Sequence, residues 1–187
     1  MDINTAILSI YTISENSINE LLKYCYGPIE KPKGYILTKA GTIEEYLYFV
    51  TKGIVRTFSI VKDEEVTFWI GEEGSVACSM RNYVESKPSY ETIETLEDCS
   101  LYRIKAQDLQ QLYKQNIEIA NWGRKFAEYE IMKTENRLIA QQFLTAKERY
   151  DNLIKSQPQL LQRIPLSIIA SYLGITQVSL SRIRALK

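Results

Sequence analysis

The run Ile164-Pro165-Leu166-Ser167-Ile168-Ile169-Ala170-Ser171-Tyr172-Leu173-Gly174-Ile175-Thr176-Gln177-Val178-Ser179-Leu180-Ser181-Arg182-Ile183-Arg184 decides how this chain is read. Pro165-Leu166-Ser167 starts a helix whose apolar face is Ile168, Ile169, Ala170, Tyr172 and Leu173. Gly174 ends it, because the tight turn that follows needs a residue tolerant of left-handed φ. Ile175 plugs the turn, and Thr176 is a natural N-cap for a second helix. The spacing is helix, three-residue turn, helix. Leu180 and Ile183 pack inward, with Val178 facing either way. Thr176, Gln177, Ser179, Ser181 and Arg182 point mostly outward. Short polar side chains and arginines at the front of a helix suit entry into a DNA major groove, where they reach base edges and phosphates. The competing reading is an ordinary helical hairpin.

Charge favours the nucleic-acid reading. The chain of 187 residues carries 23 Lys+Arg and 23 Asp+Glu, a formal net charge of zero. No acidic residue follows Asp151, while Lys155, Arg163, Arg182, Arg184 and Lys187 do, so this segment is basic and the rest acidic. A neutral protein with a purely basic end points to a local polyanion contact.

Upstream lies a long helical stretch, expected to run to about Lys155 because no proline intervenes before Pro158. Trp122, Phe126, Tyr129, Met132, Asn136, Ile139 and Phe143 follow one another at spacings of three and four residues. This a/d seam either packs on its own domain or forms a two-stranded dimer interface. Its length, its aromatics and the register-fixing Asn136 favour the dimer. Before it, Leu109, Leu112, Tyr113, Ile117 and Ala120 give another helical pattern.

The first part of the chain reads differently. Most glycines lie before residue 75, which makes this part turn-rich. A helix capped by Ser14, with Ile18, Leu21, Leu22 and Cys25 on one face, opens it. Short β runs follow at 35–37, 46–50, 54–61, 66–70, 90–96 and 100–104, with a charged turn at Lys62-Asp63-Glu64-Glu65. Many short aromatic and β-branched runs at near-regular spacing predict a sandwich or jelly roll. The fold class is therefore α+β: a jelly-roll-like β-roll over 1–115, a dimerisation helix over 116–147 and a helix-turn-helix over 148–187.

Composition excludes much chemistry. There is no histidine, hence no Ser-His-Asp or Cys-His catalysis and no His-ligated metal. Cys25, Cys78 and Cys99 are far apart and read as small hydrophobes rather than a disulfide framework, zinc site or iron–sulfur ligand set. No enzyme, metal or cofactor is expected. Glu64-Glu65 and Glu72-Glu73 read as solvated charge in turns. Apolar runs fall short of a membrane span, and Met1-Asp2 opens no signal peptide, which predicts a cytoplasmic protein without a membrane partner.

The motif at 164–176, continued by Ser179-Leu180-Ser181-Arg182-Ile183-Arg184, resembles the helix-turn-helix of Crp/Fnr-type transcription regulators. The lead-in from Glu148-Arg149-Tyr150 to Pro158 and Leu160-Leu161 resembles the short Bacteroidetes-type members. Lys33-Gly34-Tyr35-Ile36-Leu37, Ala40-Gly41 and Leu47 to Arg56 resemble the opening of that family's cyclic-nucleotide-binding β-roll. The resemblance implies effector-controlled, sequence-specific DNA binding by a homodimer. Ser167, Thr176, Gln177, Ser179, Ser181, Arg182 and Arg184 are then the DNA-contacting set. An unknown small-molecule effector and RNA polymerase are further partners the resemblance allows.

The chain departs from the family in places. The glutamate and arginine that hold a cyclic nucleotide fall near Ser79 and Ser89, so no tight cyclic AMP binding is expected. The family's cytosine-reading glutamate falls at Val178 or Ser179. Three residues follow Arg184, so little or no wing is expected. Phe68, Trp69, Tyr83 and Tyr90 either line an effector pocket, with Arg81 or Lys87 and the Ser89 position meeting an anion, or simply fill the core. Two other functions compete: a cupin-like or sugar-nucleotide isomerase jelly roll, disfavoured by the lack of histidine, and a ligand- or protein-binding roll whose helix-turn-helix no longer binds DNA.

Overall fold

Residues 1–185 are described by the computed structural model; Leu186 and Lys187, the latter counted above in the basic end, lie outside them. The chain opens with two helices rather than one. Asp2 caps α1 (Ile3–Ile10) and Ser14 caps α2 (Glu15–Leu22), each side-chain oxygen accepting a backbone N–H three residues on. Leu22 and Cys25 are only half-buried, so the face of α2 is carried by Ile18 and Leu21.

The strands are β1 (Tyr26–Lys31), β2 (Ile36–Thr38), β3 (Tyr46–Lys52), β4 (Val55–Val61), β5 (Glu64–Gly71), β6 (Val76–Ala77), β7 (Thr92–Thr95) and β8 (Cys99–Lys105). They form two antiparallel four-stranded sheets, ordered β1-β8-β3-β6 and β2-β7-β4-β5. The expected roll is there, with β1, which contains the cis Gly27-Pro28 bond, and the short β6 added to it. Between β6 and β7 sits α3 (Met80–Glu85). The charged turn is shorter than its sequence suggested. Lys62 and Asp63 alone take positive φ, and Glu64 and Glu65 already pair with Val61 and Ile60.

Strand β3 explains how the layers stack. Tyr48 and Val50 enter the space between the sheets, with Leu37, Val55, Ile93 and Leu101. Leu47 and Phe49 point the other way, into a second core with Ile7, Leu21, Leu109, Leu112, Ile119 and Trp122. Burial on both faces turns the usual alternation into a continuous apolar run.

The helical half begins with α4 (Ala106–Gln115) and the 27-residue α5 (Ile117–Phe143), joined at Asn116. Asn116 Oδ1 accepts from the N–H groups of Glu118 and Ile119. Its amide donates to Ser17 and Glu20, tying the root of α5 to α2. Gly123 has no Cβ because the Tyr113 ring of α4 lies where one would go. The long helix stops well short of Lys155. Thr145 and Glu148 form a capping box that starts α6 (Ala146–Ser156) afresh. Then come α7 (Leu160–Arg163), α8 (Leu166–Leu173) and α9 (Gln177–Ala185). Their core of Tyr150, Leu153, Leu160, Ile164, Ile169, Leu173 and Leu180 also takes in Ile54 and Leu96 of the roll. The C-terminal helices are thus packed onto the roll. Among the described residues no single helix is long and apolar enough to cross a membrane.

Candidate nucleic-acid interface

Gly174 adopts φ 66°, ψ 39°, and its N–H donates back to Ala170 and Ser171, closing α8. The Ile175 N–H also bonds to the Ala170 carbonyl. Across this turn the helix direction changes by 100°, so α9 lies across α8. Thr176 Oγ1 accepts from the Ser179 N–H, and the two hydroxyls share a further bond of 2.9 Å. These two side chains therefore build the helix start. Leu180 is fully buried beneath, whereas Val178 faces out at 61% exposure.

Gln177, Val178, Ser181, Arg182 and Ala185 form one shallow open surface along α9. Arg182 and Arg184 are exposed and meet no acidic partner among the described residues. Ser167, also exposed, lies on the first turn of α8. Arg163 does not join them. Its guanidinium bonds to Glu73 and Glu97 of the roll at 2.6–3.0 Å. The positive charge available to a polyanion is smaller than the sequence count implies.

The residues of the helical seam part company along α5. Trp122 and Phe126 are buried in the roll's own core, where Trp122 Nε1 donates to the Ile7 carbonyl at 2.9 Å. Tyr129, Asn136, Ile139 and Phe143 are exposed, as are Met132, Ile131 and Leu138. On the opposite side of the helix Glu130 accepts from Trp69 Nε1 of β5. Arg137 donates to the carbonyls of Thr67, Phe68 and Tyr172.

The five effector candidates do not converge. Trp69 packs into the inter-sheet core and is held by Glu130. Tyr83 packs into the other core and shares a hydrogen bond with Tyr113. Tyr90 is exposed and stacks on Phe68, with ring centroids 6.2 Å apart. Arg81 is exposed beside Glu85. Ser89 is buried, its hydroxyl donating to the Glu91 carbonyl and accepting from the Glu91 N–H. Ser79 is the N-cap of α3. Glu91 itself is buried, with one carboxylate oxygen lacking a partner. Burial pushes the Cys25 and Cys78 thiols up to about 12. Among the described residues no three His, Cys, Asp or Glu side chains gather as a metal site.

Residues 28–116 match the cyclic nucleotide-binding domain family. The architecture as a whole superposes on FixK2 of Bradyrhizobium japonicum with a TM-score of 0.73 at 22% identity, covering 84% of this chain and 82% of that one. It is similar to the c-di-GMP-responsive global regulator CLP of Xanthomonas campestris, with a TM-score of 0.72 at 18% identity, covering 91% and 89%. The fold is that of the Crp/Fnr regulators. A putative Crp/Fnr-family transcriptional regulator from Eubacterium rectale also matches, with a TM-score of 0.67 at 17% identity over 91% and 82% of the two chains. No curated protein matches the sequence.

On this Crp/Fnr fold, sequence reasoning missed the residues that join the two ends of the molecule. Glu72 and Glu73 are not solvated charge. Glu72 accepts from Gln157 Nε2 at 3.0 Å and Gln159 Nε2 at 2.8 Å. Glu73 accepts from Arg163 and from the Gly53 N–H, and the Arg163 guanidinium beside it pulls its carboxyl down to about 2. The one available signal was an arginine just ahead of Pro165, outside the stretch that reads as DNA-facing.

Proposed function

We propose that this protein is a homodimeric DNA-binding transcription regulator of Crp/Fnr type whose roll does not bind cyclic AMP tightly. The observation that carries the reading is the open stripe Gln177-Val178-Ser181-Arg182 on a helix held across α8 by the Gly174 turn. It presents unpaired donors of a size that fits base edges. Gel shifts against genomic fragments over a salt series test it. Binding whose logarithm falls linearly with log salt is expected, and no binding at low salt would overturn the reading.

Dimerisation through α5 is supported by the exposed apolar side chains from Tyr129 to Phe143. They continue into a groove lined by Met1, Ile10, Val76, Phe126, Tyr129 and Met132. Leaving such side chains in water forgoes roughly 1.5–3 kcal/mol each. Sedimentation at micromolar concentration should give a dimer. For cyclic AMP, the hydroxyls of Ser79 and Ser89 are spent on backbone, and the buried carboxylate of Glu91, two residues from Ser89, opposes a phosphate there. Calorimetry should detect no submicromolar binding.

A further inference from the structure

The C-terminal domain carries a charged fixture where it meets the roll. Arg163 uses both edges of its guanidinium. Nη1 and Nη2 fork onto Glu73 at 3.0 and 2.8 Å, and Nε and Nη2 fork onto Glu97 at 3.0 and 2.6 Å. Glu72 stands 4.0 Å away. Glu72 and Glu73 lie between β5 and β6, Glu97 between β7 and β8, so one side chain grips two separate turns of the roll. Glu73 is itself pinned by the Gly53 N–H at 2.9 Å. The groups are about a quarter exposed, at 28% for Arg163, 28% for Glu73 and 26% for Glu97.

We propose that Arg163 is the positioning residue that sets the orientation of the helix-turn-helix on the roll, and through it the half-site spacing the dimer accepts. This rests on the DNA-binding reading above. Arg163 is followed directly by Ile164 and Pro165, the entry to α8, so the guanidinium anchors the segment that aims α9. The other contacts across this junction pair no cation with a carboxylate: Ser171 with Glu65 O and Thr67 N, Gln157 and Gln159 with Glu72, Arg137 with carbonyls, and Ile54 and Leu96 in the shared core. Removing Arg163 does more than delete a contact. It leaves three carboxylates of the two turns facing one another without a cation, and partly buried like charges repel. Lysine cannot substitute, because a single ammonium cannot fork onto two carboxylates at once.

The test compares the full-length chain with Arg163→Gln, Arg163→Lys and Glu97→Gln. An operator is selected from random DNA with the wild type, then remade with its half-sites moved apart or together by one and two base pairs. The wild type should discriminate strongly against the altered spacings. Arg163→Gln and Arg163→Lys should lose about tenfold of that discrimination, the scale of a broken charge pair, with an unchanged salt slope. Glu97→Gln, which keeps the Glu73 fork, should lose less. Wild-type discrimination in Arg163→Gln would overturn the proposal. So would an equal loss of affinity at every spacing with a lower salt slope, which marks a phosphate contact. Hydrogen exchange decides the fixture without DNA. The Gly53 amide and the amides of α7 and α8 should exchange faster in Arg163→Gln, and unchanged protection would overturn it. If the wild type selects no operator, the DNA reading fails and exchange alone decides the fixture.

Discussion

The C-terminal domain has two faces with opposite chemistry. One is closed on the roll: Arg163 has all its partners, and Ile54 and Leu96 are buried in a shared core. The other is open: Arg182 and Arg184 have no acidic partner among the described residues, and Val178 stands in water. A chain of zero net charge could have neutralised both faces from its own acidic residues. It has done so at one only. Satisfied charge marks where the domain is held, and unsatisfied charge marks the surface that the proposed function assigns to DNA.

The largest effect is expected on the open face. Arg182→Ala should weaken operator binding by roughly 1–3 kcal/mol per half-site, hence about twice that for a dimer. Fluorescence anisotropy on a selected operator measures it. Loss confined to one operator position marks a base contact, and uniform loss with a lower salt slope marks a phosphate contact. Unchanged binding with fold and dimer intact would remove α9 as the reader. The closed face should respond in stability instead. Leu96→Ala empties part of the shared core and should cost about 2–5 kcal/mol in urea unfolding, with DNA contacts untouched.

A smaller effect is expected at the hinge between the faces. Gly174→Ala has room for its methyl group, with Gln141 Nε2 at 3.8 Å the nearest atom. Its φ of 66° remains, so the cost is backbone strain of about 1–2 kcal/mol, read as a lower urea midpoint.

The smallest effect concerns acid. The folded-state carboxyl of Glu73 lies at about 2, below its ordinary 4.5. A depressed pKa contributes stability that is complete above about 4.5 and is lost as pH falls toward 2. Gly53 amide protection should therefore be flat from neutral pH down to about 5 and decline below it. A decline already near neutrality would assign the fixture to another group.

What could be read from the sequence was local chemistry. Ser14, Thr176 and Gly174 announce their caps and turn within four residues, and the structure has them there. The strands with aromatic and β-branched runs were equally legible. Asp2 and α1 were not recognised, although Ile3, Ala6, Ile7 and Ile10 have helical spacing. The partner of Glu73 lies 90 residues along the chain, and no pattern within a short window reports such a pairing. The heptad of α5 carried a subtler ambiguity. A 3–4 spacing says that a face is apolar, not what covers it. In this chain the answer changes along the helix, from the roll at Trp122 and Phe126 to solvent from Tyr129 onward.

That change makes α5 a beam built in at one end. Its root is clamped by Asn116 on α2 and by Trp122 in the core, and Arg137 props it against β5. From Phe126 to Phe143 the beam is about 26 Å long at 1.5 Å per residue, so a tilt of about 5° at the root carries the tip by about 2 Å. Thr145, at the start of α6, rides on that tip. The prop has two members: Arg137 donates to the carbonyls of Thr67, Phe68 and Tyr172 and lies over the Tyr172 ring, and Glu130 accepts from Trp69 Nε1. A tilt at the root beside Trp122 is thus enlarged by the time it reaches the start of α6.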